Sequence, residues 1–188
     1  MLKYIEETGK YVEITGFRSI KIKDAEEFVK AARKETAQSV WVQFFDAELV
    51  ATWQHLYFAV LNARLAFENG RNISKSMAME VLLYASAQRQ IRKALQLIGV
   101  KCDSANVAIV IIGETADSVE AVLSAVSKRI GAEPDETVLE VSKEKLRGIR
   151  EAFGITEKEL ETVMEKRDVK QALVNLVIER MALLSTQL

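Results

Sequence analysis

Between Asn106 and Ile112 the chain reads Asn-Val-Ala-Ile-Val-Ile-Ile, with no polar interruption after its first residue. A strand with one wet face alternates, whereas a strand this uniformly apolar needs cover on both faces. The run is therefore predicted as an inner strand, and the rest of the chain must supply layers to cover it. Helical patterns on either side do so. A strand is predicted near 11–18, then a helix from an Asp24 cap with Glu27 completing a capping box, to about Ala37. Val40–Phe45 reads as a second strand, and Thr52 as the cap of a long helix to Asn69, closed by Gly70. Helices near 75–86 and 88–98 follow, the second closed by Gly99. After the apolar strand come a helix over 117–130, a short strand over Thr137–Val141, and helices near 142–153, 156–166 and 168–185. This order predicts an α/β fold: one domain over 1–188, with a small mixed β-sheet covered by several helices. A helical C-terminal segment, about 142–188, packs against it.

The inventory narrows the chemistry. A single His and a single Cys among 188 residues leave little from which to build a zinc site or a Cys-His dyad. No phosphate-binding Gly-x-x-x-x-Gly-Lys-Ser/Thr loop and no Gly-x-Gly-x-x-Gly after a strand is present. The chain is read as a non-enzyme with no catalytic residues, no metal and no cofactor. Its longest apolar runs are too short to span a bilayer, and Met-Leu-Lys-Tyr-Ile-Glu-Glu lacks a secretory layout, so no membrane partner is expected. The lone Cys102 fits a reducing compartment, and the location expected is cytoplasmic.

Charge singles out one region. Residues 71–101 hold six basic side chains (Arg71, Lys75, Arg89, Arg92, Lys93, Lys101) against one acid, Glu80, which is +5 in a chain whose total is −1. A positive patch on a mildly acidic protein points to an anionic partner met at one place. At its centre two helical patterns meet at Ser86-Ala87-Gln88-Arg89-Gln90. Helix 75–86 is apolar nearly all round and so buried, which obliges Glu80 to find a partner. Arg89 is the nearest candidate, and a structural Glu80–Arg89 pair is one reading. The other turns Arg89 and Gln90 into a pocket, with Ser86 and Gln88 around a helix N-terminus that offers unused amides. In the next helix Ile91, Ala94, Leu95 and Ile98 form an apolar face, leaving Arg92 and Lys93 outward.

Two further features have paired readings. On the helix from Thr52, His55 belongs to a stripe of small residues (Ala59, Asn62, Ala66) that lets another backbone or a planar ligand approach. It is either a half-buried structural residue or a ligand contact. The C-terminal helix is apolar over so much of its circumference that Leu173, Leu176, Val177, Met181 and Leu184, with Arg180, either sink into their own domain or meet a partner helix.

Two segments resemble the kinase-binding subunit of the KEOPS complex, the CGI-121 or PRPK-binding family. The stretch Asp46–Ala63 follows the family's Ala-x-x-Val-Ala-Ser/Thr-x-x-His-x-x-x-Ala-x-x-x-Ala pattern. Met79–Ile91, continued by Ala94 and Ile98-Gly99, follows its Glu-x-Leu-x-x-x-Ser-Gly-x-Arg-Gln-Ile core, with Ala87 where the family usually has Gly. The resemblance implies an accessory subunit of the machinery that makes threonylcarbamoyladenosine in tRNAs reading codons that start with A. Its implied partners are the KEOPS kinase/ATPase subunit, within a complex that includes the transferase subunits, and the single-stranded 3′ CCA end of tRNA. On that reading Arg89, Gln90, Gln88, Ser86, Lys75, His55, Arg92 and Lys93 contact RNA, and the apolar C-terminal helix meets the kinase. If the turn needs φ > 0, Ala87 is mildly strained there; the expectation is a helical residue, with the loss of Gly tolerated. One rival is a pure protein-interaction module or kinase activator without RNA contact. The other is a small-molecule-binding protein using a His55/Arg89 pocket.

Overall fold

The computed structural model describes residues 2–6, 9–34, 39–164 and 168–186. Four strands, β1 (Leu2–Ile5), β2 (Lys10–Phe17), β3 (Trp41–Asp46) and β4 (Val107–Gly113), are found among them. The α-helices are α1 (Ala25–Lys34), α2 (Trp53–Glu68), α3 (Met77–Ala85), α4 (Ile91–Ile98), α5 (Ala116–Ile130), α6 (Lys143–Phe153), α7 (Glu157–Val163) and α8 (Val169–Ala182). They sort into two compact units, one of Met1–Ala47 with Gly99–Leu139 and one of Glu48–Ile98 with Glu140–Leu188. The class is α/β with a helical C-terminal segment. The predicted helix end near Ala37, and the end of the helix predicted to reach 166, lie outside the described residues.

The first unit holds the sheet, in the order β1-β2-β4-β3. The apolar run becomes β4, an inner strand buried at all seven positions. It pairs with β2 from Tyr11↔Gly113 to Phe17↔Val107, and with β3 from Trp41↔Ile112 to Asp46↔Val107. The sheet is small, as the sequence predicts, and its strands run in two directions, yet every neighbouring pair is antiparallel. The reason is a split crossover: β2 and β3, joined through α1, run parallel but leave a gap that β4 fills from the opposite direction. One sheet face packs Phe17, Phe44, Val107 and Ile109 with Ala32 of α1 and Val119, Val122 and Val126 of α5. Four residues were too few for the sequence to reveal β1.

The strand predicted over Thr137–Val141 is instead a 3-10 turn, Glu136–Leu139. Asp135 explains the change. Its carboxylate accepts from the Thr137 amide at 2.9 Å and from Arg18 Nε at 2.8 Å, while its own amide donates to Gly16 O at 2.7 Å. The Thr137 and Arg18 hydrogen bonds hold its pKa down to about 2. Chain bent by Asp135 cannot extend into the sheet, so the turn packs on β2 at Gly16. A Cβ there would lie 2.1 Å from Val138 Cγ2 and 2.9 Å from Val107 O.

The second unit is helical. Of the small stripe of α2, His55, Ala59 and Ala66 are buried, whereas Asn62 is half-buried; α3 packs on α2. Thr52 occupies the N-cap position of α2, but its side chain makes no cap bond. Ser142, Thr156 and Asp168 do cap α6, α7 and α8 with their side chains. At the centre lies α8, whose Leu173, Leu176 and Val177 pack with Ile149 and Phe153 of α6, Ile155 and Leu160.

That packing corrects the reading of the C-terminal helix as a partner surface. Leu173, Leu176, Val177, Met181 and Leu184 are each at most 3% exposed. Arg180 is half-buried and pairs with Glu159, whose carboxylate also completes the Thr156 capping box. An end-of-chain helix with apolar residues on several faces is satisfied here by helices of its own unit. Replacing Gly16 by Ala should cost about 3 kcal/mol, the upper end for overpacking. Urea denaturation of the variant against the parent chain measures it.

Candidate functional site

The junction of α3 and α4 is built from Glu80 outward. Glu80 is wholly buried. Its carboxylate accepts from the Ser74 amide at 2.7 Å and from the Ile73 amide at 3.1 Å to each oxygen. The expected Glu80–Arg89 pair is therefore not what holds it: the partner is the backbone of the loop leading into α3.

At the other end, α3 stops in a Schellman motif. The Ala87 amide donates to Tyr84 O at 2.9 Å and the Gln88 amide to Leu83 O at 3.0 Å. Ala87 has φ +50, so it is left-handed and not helical, contrary to the expectation. This is the geometry that glycine adopts without cost and that an L-residue adopts only under strain. The Ser86 hydroxyl donates to Leu83 O at 3.0 Å and is fully enclosed, so Ser86 closes the helix and is not available to a ligand.

His55 is corrected in the same way. It is fully buried, and its Nδ1 accepts from the Ala51 amide at 3.2 Å. Nε2 is then the protonated nitrogen, and it donates to Ala85 O at 2.7 Å. The imidazole thus ties the segment entering α2 to the last turn of α3. Burial, reinforced by Lys145, lowers its pKa to about 4 against the opposing pull of the Ala85 bond.

The remaining predicted contacts lie outside. Lys75, Arg89, Gln90, Arg92 and Lys93 are exposed and Gln88 is half-buried. On α4 only Ala94 and Ile98 of the expected apolar face are buried, while Ile91 and Leu95 are 40% and 44% exposed. The result is a cationic ledge with two apolar residues beside it. Arg89 Nη1 reaches Leu184 O at 3.5 Å, and the residue lines a groove of about 230 Å³ with Asn62, Asn69, Arg71, Tyr84 and Leu184. Among the described residues, two guanidinium groups and no carboxylate line it. Asn69 and Tyr84 escaped the sequence reading, although Asn62 and Asn69, seven apart on and just after one helix, were a legible signal.

Residues 17–185 match the family model described as kinase binding protein CGI-121. Regulatory protein Cgi121 of Methanocaldococcus jannaschii is 36% identical over 113 residues, which cover 60% of this chain and 70% of that protein.

Two outcomes follow from the junction. Ala87→Gly relieves the left-handed strain, less the entropy glycine adds to the unfolded chain, and should stabilise by about 0.5–1 kcal/mol in thermal or urea unfolding. For His55, the unfolded chain takes up a proton near pH 6.5 and the folded one only near 4. Stability from the neutral imidazole is therefore complete above pH 6.5 and falls as pH drops towards 4, by up to about 3 kcal/mol. The stability gap between the parent chain and His55→Gln should shrink across that window. A gap that stays constant would refute the neutral buried imidazole.

Proposed function

The chain belongs to the CGI-121 family of kinase-binding proteins, and from that premise we propose that it is a non-catalytic accessory subunit of the KEOPS complex. It docks on the KEOPS kinase/ATPase subunit and recruits tRNA by its single-stranded 3′ CCA end. Its effect is to raise the concentration of tRNA near the transferase, which needs no chemistry of its own.

The observation that carries the RNA half of this reading is the cationic ledge. Arg89, Arg92 and Lys93 stand exposed on one short segment, with Gln88 just before them, Gln90 among them and Lys75 on the loop before α3. Single-stranded RNA is held by phosphate contacts together with amide and planar groups that meet bases, and this segment offers the two kinds side by side. Ser86 and His55 drop out of the contact set because both are spent inside the unit. The family description supports the kinase half. With the inner stripe of α8 buried, docking by the C-terminal segment falls to exposed positions, of which Leu183 is the large apolar one at 42% exposure.

Intact tRNA should bind the purified chain more weakly as salt rises, and tRNA trimmed of its CCA end should lose most of that binding. Replacing Arg92 and Lys93 together by Ala should reduce the slope of log K against log salt by roughly 1.4, or about 0.7 per single-strand phosphate contact. Equal binding to trimmed and intact tRNA would sink the 3′-end role and leave the pure interaction module. For docking, Leu183→Asp should weaken kinase binding with an unchanged melting temperature. Leu176→Asp should unfold the chain, because it buries a charge.

A further inference from the structure

The groove lined by Arg71 and Arg89 also has a serine in its wall. Ser185 is exposed and follows Leu184 directly, and the Leu184 carbonyl oxygen lies 3.5 Å from Arg89 Nη1. Arg71 has no carboxylate partner among the described residues, and no carboxylate among them lines the groove. The nearby acid of α3, Glu80, is engaged by the amides of Ile73 and Ser74. The Ser185 hydroxyl donates to Ala182 O at 2.8 Å, at the end of α8. A neutral hydroxyl suits that carbonyl. An anion in its place is repelled, because the C-terminal end of a helix is negative. Thr186 is exposed as well, and its hydroxyl donates to Leu183 O at 2.8 Å, but it does not line the groove.

We propose that Ser185 is a phosphorylation site, and that its phosphate turns away from Ala182 O and seats on Arg71 and Arg89, filling the groove. The step takes ATP and a serine kinase. The Ser185 oxygen bonds to the γ-phosphorus as the bond to ADP breaks, and the hydroxyl proton is released. The product has lost its donor to Ala182 O and carries close to two negative charges at neutral pH. Guanidinium groups hold phosphate oxygens through paired N–H bonds, so two arginines make a seat that two lysines would not. Once seated, the phosphate neutralises both guanidinium groups and turns a negative group towards any anionic partner of the ledge. One modified serine thereby switches the cationic face off. The consequence for tRNA rests on the RNA reading proposed above, whereas the seating of the phosphate is read without RNA.

Phosphoserine installed in place of Ser185 in the full chain, followed by phosphorus NMR through a pH titration, makes the test. An exposed phosphoserine titrates near pH 6, and two guanidinium groups should bring this one to about pH 5 or below. Arg71→Gln with Arg89→Gln should return it to about pH 6, and phosphoserine in place of Thr186 should stay there throughout. Intact tRNA should bind the phosphorylated chain at least roughly tenfold more weakly than the unmodified chain at the same salt. Mass spectrometry of the chain isolated from the cells that make it should find phosphate on Ser185. An ordinary titration in place of Ser185, a lowered one that survives the double arginine variant, undiminished tRNA binding, or no phosphate on Ser185 in the native chain would each overturn the inference. A seated phosphate on a chain that binds no tRNA even when unmodified would overturn the RNA reading alone.

Discussion

A carboxylate fully enclosed in an apolar helix must be either neutralised or surrounded by donors, and Glu80 is surrounded. The donors are the amides of Ile73 and Ser74, so the cost of burying the charge is offset by ordering the loop that enters α3. Much of the second unit's working end follows from this. The loop that carries Lys75 is held by main chain, and Arg89 is not drawn inward to balance Glu80. The guanidinium that the sequence offered as a structural counter-ion instead lines the groove.

The other end of α3 is fixed with equal economy. His55 spans from the Ala51 amide to the Ala85 carbonyl, which ties the first turn of α2 to the last turn of α3. Just beyond, the left-handed residue at Ala87 turns the chain through a Schellman motif into the polar segment before α4. An L-residue in that conformation is strained by about 1–2 kcal/mol. The turn persists because the surrounding bonds over-determine it: both Schellman bonds, the Ser86–Leu83 contact and the buried His55 all require the helix to end there. The exposure of Arg89 to Lys93 is a consequence of where that helix stops.

Ledge and groove are therefore products of one arrangement: α3 is pinned at both ends by groups that never reach solvent, and its neighbours carry the polar display. Burial of the inner α8 stripe removes the partner surface that composition favoured.

The sequence by itself determined the elements whose signal is local. The apolar run of β4, the cap at Asp24, and the cationic bias of residues 71–101 can all be read without neighbours. So can the need of Glu80 for a partner and the likeness of residues 46–63 and 79–99 to the CGI-121 family. Tertiary structure alone decided whatever depends on residues distant in the chain. Periodicity shows that α8 is apolar on several faces but not that α6 and α7 return to cover them. A lone His beside small residues looks the same whether a ligand or Ala85 O meets it. Helical spacing foresaw neither the insertion of β4 between β2 and β3 nor the turn that Asp135 forms with Arg18 and Gly16. Which donors reach a buried charge, and which side chains a helix end leaves in water, are set by packing over long sequence separations, and local pattern carries no record of it.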